Sequence, residues 1–282
     1  MPLRLHRRPK PAPAQSAPTN QMDLERPSAQ DIFEQVANNA RQELERSSLA
    51  LAISGFAGGT FMGLSALGTA LTLSTFGTSS RAEFLAKMFY PIGFIVVILG
   101  RSQLFTENTL YPVALVLAEK KHVGNTLRLW GCVLPSNVLG ALAFASLVSF
   151  TNALPPEVVG ALTQLGLHAA HHPPSAVFWS GVMGGWIIAL AAWLVSGSHS
   201  ITGSVMLVWI LTFVVGLGNF AHCIAASGEI FTAVLVHQLH WSDYARWFLP
   251  AVLGNICGGV GMVTVLEYGQ IVHDDNPEDA TT

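Results

Sequence analysis

From Val158 to Gly228 the chain contains no Asp, Glu, Lys or Arg, an uncharged run of 71 residues. About a quarter of the residues in an ordinary soluble domain are charged, whereas a membrane-crossing helix needs about 20 apolar residues. The run therefore holds two spans, one at about 176–195 and one starting at about 201. Four more apolar blocks complete the pattern. Block one lies between Arg46 and Arg81, block two between about Met88 and Ala118, block three between Arg128 and Glu157, and block six between Arg246 and Glu267. Hydrophobic residues make up 51% of the 282 and charged residues 11%, and the mean hydropathy is +0.46. The expected fold is an all-α polytopic membrane protein with six transmembrane helices. No basic stripe offers a nucleic-acid surface.

The charges gather at the ends. Residues 1–46 hold 13 of the 31 charged side chains, and the tail from Glu267 holds 5. Four regions follow: a disordered basic Pro/Ala-rich arm at 1–27, an amphipathic helix at 28–46, the pore domain at 47–267 and an acidic tail at 268–282. The arm has no apolar core of the kind a signal peptide carries. Ser28 and Asp31 suit a helix start, and Ile32, Phe33, Val36, Ala40 and Leu44 form one stripe. Cys132, Cys223 and Cys257 match no metal or disulfide spacing and read as small core residues. The seven Trp read as interface anchors. Six spans put both termini on one side, and the Lys/Arg bias makes that side cytoplasmic.

Two of the six blocks are interrupted. Block two breaks at 101–109 ("RSQLFTENT") and block five at "GLGNFAH". Each is the middle of three, and the halves match: "SNVLGA" with "GNICGG", "AGGTF" with "MGGWI", and Phe105 with Phe220. The expectation is two inverted three-helix repeats whose broken second and fifth helices meet near the midplane. Backbone freed from a helix at that depth must be buried in protein or line a water-filled path.

Arg101 and Glu107 lie in the first break. Arg101 suits the negative end of one half-helix and Glu107 the positive start of the next, with Thr106 as its cap. They serve as stabilisers of the break, as an ion pair, or as electrostatic contacts to a permeant. Glu229, seven residues after His222, lines a vestibule or marks the end of the span.

"LFTENTL", "GNFAHCIA" and "GNICGG" together resemble the formate/nitrite transporter family over residues 30–270, and "GRxQLFTENT" is most similar to its YfdC-like branch. The resemblance implies an aquaporin-like fold and a homopentamer in the prokaryotic inner membrane. Each protomer would pass small monovalent anions or their weak acids, with no cofactor and no enzymatic activity. It implies that His222 is the central histidine, that Leu104, Phe105 and Thr106 form the second-span loop, and that Asn255 is the sixth-span asparagine. Tyr90, Phe94, Ile188 and Val215 fall at constriction positions. Three departures stand out. Ala169 replaces the lysine of a K-x-x-H-H pattern, Ala221 the glutamate before the histidine, and Ala226 the asparagine four residues after it.

An anion pays several kcal/mol to cross an apolar ring, and its neutral acid far less. An imidazole at the waist is able to lend the proton. Two other readings remain. One is a neutral small-solute channel, although neither break carries Asn-Pro-Ala. The other is a membrane di-iron or zinc enzyme built on "HAAHH", read as a loop at 168–172, with "HQLH" at 237–240.

Overall fold

The computed structural model describes residues 27–274. The expected arm up to residue 26 and the tail from residue 275 lie outside them. The described chain is helical almost throughout, and it begins with α1 (Ala29–Glu45). Ser28 caps this helix by accepting the Asp31 N–H at 3.1 Å, and the Asp31 carboxylate accepts the Ser28 N–H at 2.9 Å. This reciprocal box satisfies two donors that the first turn leaves free. At the other end Arg128 donates to the carbonyls of Leu44 (2.7 Å) and Arg46 (3.0 Å), which otherwise have no helical partner. Val36, Ala37, Ala40 and Leu44 are buried, so α1 packs on the bundle by its apolar stripe.

After α1 the described chain runs through α2 (Ser48–Phe76), α3 (Ser80–Lys87), α4 (Pro91–Leu99), α5 (Tyr111–Glu119), α6 (Val123–Phe150), α7 (Pro156–Ala170), α8 (Pro174–Ser196), α9 (Ile201–Leu217), α10 (Ala225–Leu235) and α11 (Trp241–Ile256). A π-helical stretch, Cys257–Val265, joins α11 to a last helix, α12 (Leu266–Asp274). Among the described residues, five stretches are long and apolar enough to cross a membrane: Ser48–Phe76, Ser80–Leu99, Val123–Phe150, Pro174–Ser196 and Trp241–Val272. The apolar helices α9 and α10 are shorter, at 17 and 11 residues. They are two pieces of the interrupted fifth block. Large apolar side chains such as Leu49, Ile53, Leu139, Trp179, Ile201 and Leu253 are exposed on the bundle's outside. Such a surface suits lipid or neighbouring copies, not water.

The two halves repeat the same hydrogen-bond pattern at the breaks. α4 ends with Arg101 at φ +55°, and α9 ends with Asn219 at φ +49°, 118 positions later. At each stop the next N–H reaches back five residues, Ser102 to the Val97 carbonyl and Phe220 to the Val215 carbonyl, both at 3.0 Å. The preceding N–H reaches back three, Arg101 to Ile98 and Asn219 to Gly216. This is the Schellman arrangement, which ends a helix while satisfying its last carbonyls. The left-handed residue costs about 1–2 kcal/mol when it is not glycine.

One asparagine then clamps each broken segment. Asn137 accepts the Phe105 N–H (2.8 Å) and donates to the carbonyls of Gly55 (2.7 Å) and Gln103 (2.8 Å). Asn255 accepts the Cys223 N–H (2.9 Å) and donates to Gly181 and Ala221 (both 2.8 Å). Ser54 and Ser180 likewise take the N–H groups of Gln103 and Ala221. Phe105 therefore corresponds to Cys223 and not to Phe220; the match by sequence is three residues out of register. Gly58 and Gly184 occupy equivalent places, and a Cβ on either would strike a carbonyl of the facing break, Gln103 or Ala221.

The halves run in opposite directions. Tyr90, before α4, and Val215, near the end of α9, face one cavity. Ile98, near the end of α4, and His199, just before α9, face the other. The two ends of the described chain meet, with Phe33 and Tyr268 rings 5.7 Å apart. Two expectations about side chains change. Cys257 is exposed and not a core residue. Trp193 and Trp247 are buried, so not all Trp face the membrane interface.

Candidate functional site

Two cavities enter the bundle from opposite ends of α4, a nine-residue helix roughly 13 Å long. The Lys87 vestibule, of about 410 Å³, is lined by Lys87, Tyr90, His168, Ala169, Val215, Asn219, Ala221, Ala226 and Glu229, among others. The Arg101 vestibule, of about 260 Å³, is lined by Glu43, Ile98, Arg101, Gln103, Leu104, Glu107 and Tyr111, with Gln35 and Asn39 from α1.

Between them lies a closed waist. His222 lines neither cavity and is 1% exposed. Its Nε2 lies 2.8 Å from Thr106 Oγ1, so the two breaks meet through one polar contact. Its Nδ1 accepts the Ala225 N–H at 3.0 Å. An Nδ1 that accepts carries no proton. The imidazole is therefore neutral, its one N–H is on Nε2, and that N–H donates to the Thr106 hydroxyl. Thr106 keeps its own O–H to offer. Phe94 packs edge-on against the His222 ring at 5.0 Å, and Tyr90 lies 5.5 Å beyond it. The contact is thus walled by apolar surface on the Lys87 side, while Leu104 closes the Arg101 side.

Other residues singled out by the sequence take different places in the folded chain. Thr106 makes no capping bond to a half-helix, contrary to expectation, because its hydroxyl is turned to His222. Glu107 starts a short 3₁₀ turn, Glu107–Thr109, before α5. Phe105 packs edge-on against Trp130 at 5.6 Å and lines neither vestibule. Ile188 is fully buried outside both cavities. Asn255 is fully buried, lines neither vestibule, and uses both amide N–H groups and its Oδ1 on backbone. Arg101 is exposed at the mouth and not at mid-depth, and among the described residues it forms no ion pair with Glu107. Glu229, left open by the sequence, lines the vestibule.

The three departures from the family pattern, Ala169, Ala221 and Ala226, all face the Lys87 vestibule. The HAAHH segment is not a loop. His168, Ala169 and Ala170 form the last turn of α7, and the rings of His168 and His172 lie 5.2 Å apart at the vestibule wall. Burial, and then the neighbouring His172 and Lys87, hold His168 below the usual imidazole range. Among the described residues no three His, Cys, Asp or Glu gather as metal ligands.

Sequence reading misses Lys87 and Asn219. Lys87 Nζ donates to Asn219 Oδ1 at 2.6 Å, and Lys87 is the one Lys or Arg among the described residues lining that vestibule. The signal is a lysine at the edge of an apolar block, but only the fold shows that it turns inward.

Two vestibules separated by a closed, hydrogen-bonded waist, in an antiparallel pair of broken helices, define a membrane channel or transporter. Comparison with known proteins gives the family. The formate/nitrite transporter model matches residues 30–269, and the chain belongs to that family. It is 32% identical over 249 residues to the inner membrane protein YfdC of Escherichia coli (strain K12), covering 87% of this chain and 80% of that one. It is 25% identical over 240 residues to the formate channel BtFdhC of Bacillus thuringiensis, covering 83% and 92%. Two solved structures share the fold at 19% identity. An FNT family ion channel superposes with a TM-score of 0.76, covering 88% of this chain and all of that one. A pentameric formate channel with formate bound gives 0.70, covering 80% and 98%. The fold is accordingly all-α and aquaporin-like, in a multi-pass membrane protein.

Proposed function

We propose that each protomer conducts small monovalent anions or their conjugate acids, of the size of formate or nitrite, between the two vestibules through the Thr106–His222 waist. The observation that carries this reading is the 2.8 Å contact between the two breaks, walled by Phe94 and Leu104. A hydrated ion cannot pass such a wall without losing water, at a cost of several kcal/mol. The waist offers the Thr106 O–H in return. Because His222 holds its single N–H toward Thr106, it orients that hydroxyl. It lends a proton itself only if the Ala225 bond breaks and Nδ1 is protonated.

The relatives named as formate channels support the substrate size, and the pentameric neighbour supports a homopentamer with one pathway per protomer. Arg41, Arg46, Lys120, Lys121 and Arg128 cluster around α1 and the α5–α6 turn; Arg81, Lys87 and Arg246 lie near α3 and α11. The positive-inside bias makes the Arg101 vestibule the cytoplasmic one, with both termini on that side of the inner membrane. Asn137 and Asn255 hold the two breaks in place as scaffold. Tyr90 and Val215 narrow its Lys87 side.

Proteoliposome flux tests the reading, with formate, nitrite, acetate, hydrosulfide and glycerol at pH 5.5 and 7.5. Wild type is expected to move the weak acids faster at pH 5.5 and to exclude glycerol, and His222→Ala is expected to lose that selectivity. Glycerol passing wild type as fast as formate would instead favour a neutral-solute channel.

A further inference from the structure

Two carboxylates are buried in the vestibule walls with no bonded partner. Glu229, on α10, is 8% exposed, and Glu107, in the 3₁₀ turn before α5, is 7% exposed. Among the described residues neither side chain forms a hydrogen bond or an ion pair, yet each faces a cavity. By contrast Glu43, which shares the Arg101 vestibule, is satisfied by Gln103 (2.7 Å) and Arg46 (2.8 Å). Both carboxylates keep an oxygen open to the cavity they line, since among the described residues the one side-chain polar atom closed off without a partner is Ser149 Oγ; an ionisable group so placed inside a membrane-spanning bundle marks a substrate or proton path. The waist between them has no ready proton, because the imidazole of His222 is neutral and its N–H is committed to Thr106.

We propose that Glu229 and Glu107 are the proton-exchange groups of the pathway, one on each side of the waist. This rests on the reading that small weak acids permeate. An anion entering the Lys87 vestibule takes the proton of the Glu229 carboxylic acid. The Glu229 O–H bond breaks, an O–H bond forms on the permeant oxygen, and Glu229 is left as a carboxylate. The neutral acid crosses the waist and gives the proton to the Glu107 carboxylate, leaving as the anion. Water at the two mouths restores Glu229 and deprotonates Glu107, so one proton moves with each anion. The groups facing Glu229 are Lys87 from α3, Tyr90 ahead of α4, and His168 and His172 from α7 and its end. Those facing Glu107 are Glu43 from α1, Arg101, Tyr111 from α5 and His199 before α9. Lys87 and Arg101 place one fixed cation in each vestibule, which favours the ionised carboxylate after proton loss.

The test is formate uptake into proteoliposomes loaded with a pH-sensitive dye, with wild type, Glu229→Gln, Glu107→Gln, Glu229→Asp and Glu107→Asp at pH 5.5 and 7.5. Each Gln variant is expected to lower formate uptake and coupled proton entry at least about tenfold and to flatten the pH response, because general acid–base steps are commonly worth 10²–10⁴. Each Asp variant is expected to keep the slope. Gln variants that track wild type overturn the proposal. So do Asp variants that fail as badly as Gln, since the carboxylates would then matter only for packing. Wild type that moves no formate removes the permeation reading itself, and this proposal with it, in the first arm of the experiment.

Discussion

Single asparagines carry the two breaks. Each of Asn137 and Asn255 answers two backbone groups that the interruption leaves without helical partners and anchors them to a carbonyl of the facing helix, Gly55 or Gly181. A buried polar group left unsatisfied costs about 1–3 kcal/mol. Asn137→Leu or Asn255→Leu is therefore expected to lower stability by roughly 3 kcal/mol or more, seen as a clear fall in the thermal unfolding midpoint in detergent; an unchanged midpoint would refute the clamp. Arg101 offers a cleaner case. Its left-handed φ suits glycine. Arg101→Gly should keep the fold, with an unfolding midpoint at or above wild type, while removing the vestibule's cation. These residues are partly legible in the sequence. The asparagines stand out by their matched setting in two halves. The bond from Thr106 to His222 is not legible, because the two lie 116 positions apart and only the meeting of the breaks joins them.

At the scale of elements, close approach decides the packing. The face of α2 carrying Gly58 lies against the first break, and that of α8 carrying Gly184 against the second. Gly58→Ala and Gly184→Ala should each yield little correctly assembled protein, measured by size-exclusion chromatography after membrane extraction. Gly261→Ala, where a Cβ meets open space, should assemble as wild type. Element α1 is held differently. Arg41 pairs with Glu119 at 2.7 Å, and Lys121 and His122 bind the same carboxylate. The Lys121 hydrogen bond first, then those of Arg41 and His122, push Glu119 down to about 2 from its ordinary 4.5. Of these partners only Arg41 belongs to α1, so its share of the lowered value stabilises the docked helix above pH 4.5 and is lost as pH falls toward 2. Amide exchange in α1 should accordingly be constant from pH 7 to 5, after correction for intrinsic rates, and should lose protection between about pH 4.5 and 2. Equal protection throughout would show that the Arg41–Glu119 pair contributes nothing. The helix spans are legible from charge-free length, but the last span is not legible in detail. Its π-helical stretch, Cys257–Val265, lets Thr264 reach the Thr109 carbonyl at 3.2 Å, a contact set by the facing turn.

For the whole molecule, the proposed homopentamer leads to one expectation: native mass spectrometry in lipid nanodiscs should report five copies, and the exposed apolar exterior leaves room for such contacts. A monomer retaining full flux would show that assembly is not needed for the pathway. The sequence alone determined that the chain is a helical membrane protein with two matched halves. A charge-free run of 71 residues has no other stable home, and an odd number of spans per half forces inversion. It also marked His222, Arg101, Glu107 and Glu229 as polar groups in apolar surroundings. Only the tertiary structure decided which of them face water. Arg101 turned to the mouth, Glu107 and Glu229 to the cavity walls, and His222 to the closed waist. The physical reason is that a break in a helix frees backbone groups without saying where they turn. Their direction is fixed by partners from the neighbouring helices, Asn137, Asn255, Ser54 and Ser180, which become neighbours only when the halves interlock.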